Sequence, residues 1–69
     1  MMFKVGDVLE VSKHHYYFYR MNTTFTYLGV KNGFHVIQSD TSKKMYSNLF
    51  RETMLQYFKL KEPVCLENK

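Results

Sequence analysis

The sequence predicts one small, mainly β domain, and three observations carry that expectation. Asn32-Gly33 stands between two runs rich in β-branched and aromatic residues, "TTFTYLGV" and "FHVIQSD", which is the signature of a two-residue hairpin. "VLEV" at 8–11 alternates in the period of a half-buried strand. The chain is 45% hydrophobic and 17% aromatic, far from a disordered composition, so its rings supply most of what 69 residues can bury. A domain of this size buries only about 60% of its unfolded surface, which argues against a deep catalytic cleft. One domain over 1–62 with a short tail over 63–69 is expected.

"FKVGDVLEV" opens with Phe3 and Val5 leading into a Gly6-Asp7 turn. Leu9 and Val11 then alternate with Val8 and Glu10 along the first strand. The segment "KHHYYFYR" at 13–20 follows, with two histidines and four rings between a lysine and an arginine. Read as extended, it points His14, Tyr16, Phe18 and Arg20 one way and His15, Tyr17, Tyr19 and Met21 the other. Both sets cannot be buried in so short a chain, so one set, led by Phe18, covers the core and the other stays wet.

The Asn32-Gly33 turn sets a register of Lys31 with Phe34, Val30 with His35, Gly29 with Val36, Leu28 with Ile37 and Tyr27 with Gln38. Leu28, Val30, His35 and Ile37 then share one face, the expected core side, while Phe25, Tyr27, Phe34 and Val36 share the other. "DTSKK" at 40–44 reads as a polar turn. Beyond it two readings stand: a helix over about 48–60 capped by Ser47, or a strand near 44–50, a helical turn at 52–57 and a last strand at 58–62.

The order of "VGDVLEV", an aromatic excursion, a hairpin, a polar turn, another strand and a brief helical turn before "YFKLKE" resembles a small Src-homology-3-like barrel. The "VGDVLEV" start also resembles the first strand of KOW-type modules of the transcription and translation machinery. This resemblance implies a five-stranded SH3-like barrel with a short C-terminal helical turn. The alternative is an α+β antiparallel β-meander carrying an amphipathic helix at about 48–60. It further places "KHHYYFYR" in the loop whose aromatics line the ligand groove in peptide-binding members. Barrels of this kind also occur among short bacteriophage accessory proteins, and the richness in Lys, Asn, Tyr and Phe suits that source.

Net charge is +4, and it is unevenly spread. Residues 43–61 carry Lys43, Lys44, Arg51, Lys59 and Lys61 against Glu52 alone, whereas residues 1–42 hold a net of +1. Such a balance favours an acidic partner, and the predominance of Lys over Arg favours diffuse attraction over bidentate recognition. Tyr16, Tyr17, Tyr19, Tyr27 and Phe34 are the expected contact rings, for a protein surface or for stacked bases. Lys13, Arg20, Lys31, Lys43 and Lys44 are the expected contacts to phosphate or carboxylate. The same rings would also serve simply to complete a small core and its collar.

Binding rather than catalysis is therefore expected. The first expectation is an accessory protein that attaches to a larger protein assembly, of the transcription or translation apparatus, and modulates or inhibits it. The alternative is direct binding to RNA or DNA, and a homodimer through the wet rings is a third. No nucleophile elbow, phosphate-cradling loop or carboxylate pair points to an enzyme. His14, His15 and His35 have no carboxylate or thiol at ligand spacing, so neither metal nor cofactor is expected. The single cysteine, Cys65, suits a reducing cytosol, and "MMFKVGDVLEV" lacks a leader's apolar run, so a cytoplasmic protein with no membrane span is expected.

Overall fold

A computed structural model of the chain describes residues 3–61. The expected tail at 63–69, with Pro63 and Cys65, lies outside the described residues. Five antiparallel strands form one sheet in the order β4-β3-β2-β1-β5, where β1 is Val8–Val11, β2 Phe25–Lys31, β3 Phe34–Ser39, β4 Met45–Leu49 and β5 Phe58–Leu60. A single helical turn, α1 (Tyr16–Tyr19), joins β1 to β2, and a seven-residue helix, α2 (Arg51–Tyr57), joins β4 to β5. The mainly β class and the five strands are as expected. The barrel is not closed: β4 and β5 remain the two edges of an open sheet. α2 carries the chain from the end of β4 to the start of a β5 only three residues long. Met54 of α2 is fully buried in the core.

Between the two readings of the C-terminal third, strand, helical turn and strand is the one observed. A helix over 48–60 does not form. Ser47 lies within β4, and extended Phe50 precedes α2 without a side-chain capping bond.

At the N-terminus, Gly6 takes φ +96, and the turn is tied by Asp7 N–H to Lys4 C=O at 2.9 Å and by Lys4 N–H to Asp7 Oδ2 at 2.7 Å. β1 then buries Leu9 completely. Asn32 and Gly33 sit at φ 54 and 84, the two positive values that a type I′ turn demands.

The expected register holds for Lys31 with Phe34, Val30 with His35 and Gly29 with Val36, and then shifts. Leu28 is an extra residue on β2, so Tyr27 pairs with Ile37, Thr26 with Gln38 and Phe25 with Ser39. This bulge overturns the β2 half of the expected core face, while His35 and Ile37 on β3 are buried as expected. Phe25 and Tyr27 join Ile37 and His35 on the inner side, while Val30 is 61% exposed. Two rings bury more apolar area than Leu28 and Val30 would, and Gly29 at φ +107 supplies the backbone freedom to bring them in.

The core is Leu9, Phe18, Phe25, Tyr27, Ile37, Met54 and Phe58. Phe18 is its hub, with ring centroids of Phe25, Tyr46 and Phe58 at 5.6, 5.1 and 5.6 Å in edge or tilted geometry. Such pairs add about 0.5–1.5 kcal/mol each beyond their buried area.

Candidate functional site: the end of the sheet around α1

Antiparallel pairing brings the end of β1, the start of β2, the end of β3 and the start of β4 to one end of the sheet. The β1–β2 connection with α1 and the β3–β4 turn therefore meet there. The extended reading of "KHHYYFYR" is corrected by α1. A helical turn advances about 100° per residue, so of four consecutive rings only one faces inward. That one is Phe18, at 5% exposure, whereas Tyr16, Tyr17 and Tyr19 are 71%, 57% and 49% exposed. His15 precedes the turn and accepts from Phe18 N–H through Nδ1 at 3.5 Å, with its ring 4.9 Å from Tyr57.

Of the expected cations, Lys13 and Arg20 flank α1, and Lys43 and Lys44 lie in the β3–β4 turn at the same end. The Arg20 guanidinium sits 5.0 Å from the Tyr16 ring centroid, and the Lys44 ammonium 5.6 Å from that of Tyr46. Tyr17, Arg20 and Met21 line a concavity of about 230 Å³. The Tyr46 hydroxyl donates to Met21 Sδ at 3.5 Å, which links a residue lining this concavity to the half-buried ring beside Lys44. On the other flank of α1, Tyr19 shares a wider concavity of about 330 Å³ with Glu10, Asn22, Thr23, Thr24 and Thr41.

Three expected residues do not join this end. Lys31 and Phe34 sit at the hairpin tip, at the opposite end of the sheet, where Phe34 packs edge-on to Phe50 at 5.4 Å. Tyr27 is 3% exposed, because the bulge turns it inward, and it is removed from any contact surface. Its hydroxyl bonds His35 Nδ1 at 2.7 Å, and burial pushes its pKa above the ordinary value. His35 is accordingly a buried, hydrogen-bonded core residue.

Met21 and Tyr46 were missed from the sequence. They are 25 residues apart, and only the strand order joins them. Tyr46 stood in a segment legible as strand or helix, so its direction was open.

Asp40 is the carboxylate nearest in sequence to the lysine pair. It accepts from the Thr24 and Thr26 hydroxyls at 2.6 and 2.7 Å, which pins the β3–β4 turn to the start of β2. Among the described residues no three His, Cys, Asp or Glu side chains gather to hold a metal ion, and no helix is long and apolar enough to cross a membrane. No protein-family model, curated protein sequence or solved structure matches the chain, so the meaning of this end is read from its own geometry.

Proposed function

We propose that the chain is a non-catalytic binding module that attaches to a larger assembly through its α1 end and modulates that assembly. The observation that carries this is the α1 turn itself: three exposed tyrosines on four consecutive residues, held in place by the buried Phe18 between them. Tyrosine offers large contact area for only two rotatable bonds, so a rigidly mounted set loses little entropy on binding. The surrounding Lys13, Arg20, Lys43 and Lys44 favour a partner that is negatively charged where it touches.

The strand order supports the resemblance to Src-homology-3-like domains, since β5 adds to β1 beyond a four-strand meander and follows a helical turn. A target in transcription or translation, and a phage source, rest on that resemblance.

The test is capture of partners on the immobilised chain from lysate of its source cell, compared with a Tyr16→Ser, Tyr17→Ser, Tyr19→Ser variant. The variant retains the wild-type circular dichroism and melting profile and loses the captured partner. Undiminished capture by a folded variant removes the α1 end as the contact surface.

A further inference from the structure

Resting on that reading of the α1 end, we infer that its ligand is single-stranded nucleic acid, laid over Tyr17, Arg20, Met21, Tyr46, Lys44 and Lys43. Rings and cations alternate along this line. Tyr17 and Arg20 share one concavity, Met21 links it to Tyr46 at 3.5 Å, and Lys44 stands over the Tyr46 ring with Lys43 beside it in the turn. Stacking platforms for unpaired bases interleaved with phosphate contacts have this composition, because every base has a π-face and every nucleotide a charge.

The charges also set which side of α1 the strand takes. Glu10 lies in the concavity beside Tyr19, where a phosphate would be repelled. On the Tyr17 side no carboxylate lines the concavity.

Lys13 and Arg20 flank α1, and Lys43 and Lys44 stand in the turn at the same end, so the exposed rings are bordered by cations, which favours a polyanion. A duplex hides its base faces, and helices of four and seven residues are short for reading a major groove.

The test is fluorescence anisotropy with labelled oligothymidylate and oligouridylate of about twelve nucleotides, against a poly-glutamate peptide of equal charge and a duplex of equal length. The single strands bind, and their affinity falls about 10- to 20-fold for a threefold rise in salt, as expected for three to four neutralised phosphates. Tyr17→Ser lowers affinity about 5- to 150-fold, and Lys43→Glu with Lys44→Glu lowers it further, while Val30→Ser, exposed near the hairpin tip at the opposite end of the sheet, has no effect. Equal binding of poly-glutamate or of the duplex overturns the inference. So does absence of oligonucleotide binding. If the single strands fail while the three-tyrosine variant still loses its captured partner, the inference falls and the module reading stands.

Discussion

The Tyr27 hydroxyl and the His35 ring nitrogen Nδ1 lie 2.7 Å apart inside the domain, on neighbouring strands whose register is displaced by one residue between them. The bulge at Leu28 makes this pairing possible, because it puts Tyr27 and His35 on the same face. The bond satisfies the two polar groups that the core admits at this point. Tyr27→Phe leaves Nδ1 without its partner and lowers unfolding free energy by about 1–3 kcal/mol, read as an earlier urea midpoint at unchanged slope.

The same tyrosine makes stability fall in alkali. Its pKa is raised by burial above the ordinary tyrosine value of 10.0, so above that pH the unfolded chain releases a proton that the folded chain still holds. The stabilisation is therefore complete below pH 10 and lost as pH rises through the folded value. Urea titrations from pH 8 upward show a decline in wild type that is shallower in Tyr27→Phe; identical pH profiles would contradict the assignment.

Phe18 and Tyr17 are adjacent in the chain and opposite in consequence. Phe18→Ala removes the ring at the centre of the aromatic cluster and costs about 3–5 kcal/mol, which for a domain this small lowers the melting temperature by well over 10 °C. Tyr17→Ser, on the wet side of the same turn, loses only an edge contact with Phe18 and costs about 1 kcal/mol or less. Thermal melts of the two variants separate anchor from contact residue.

Gly29→Ala tests the bulge. The glycine adopts φ +107, and an added Cβ would stand 3.2 Å from Val5 Cγ2. Backbone strain alone costs about 1–3 kcal/mol, and Val5, being largely exposed, yields to the methyl group. Calorimetry shows a lower melting temperature, and Val5→Ala added to Gly29→Ala restores little of it.

Asp40→Ala releases the clasp on Thr24 and Thr26, which costs about 1 kcal/mol because both hydroxyls are partly accessible to water. Amide exchange quickens first in the β3–β4 turn, the segment that holds Lys43 and Lys44 near α1. Exchange that quickens uniformly would deny Asp40 this local role.

Much of the fold was legible in the sequence. Asn32-Gly33 marked the hairpin, and "VGDVLEV" gave its turn and strand, because each is a local signal with one low-energy answer. The β2 register was not, since strict alternation favoured Leu28 and Val30 as core. What decided it was the competition between those side chains and two aromatic rings for a single interior, settled by a glycine whose φ no pattern reveals. The helical turn in "KHHYYFYR" was hidden for a related reason: four consecutive rings have no period. Tyr16, Tyr17, Tyr19, Lys13, Arg20, Lys43 and Lys44 were all named from residue type, but their convergence depends on strand order, and Tyr27, Phe34 and Lys31 were separated from them by the same order.

The dependence of α1 on one inward ring has an evolutionary side. With Phe18 holding the turn, positions 16, 17 and 19 stay outside the buried core, so exchanging their side chains costs far less stability than exchanging Phe18. Contact chemistry and foldedness are thereby under separate control. A lineage under pressure to change partners can vary those three positions while the rest of the domain is left untouched, and a library randomised at them alone should yield folded members with altered ligand preference.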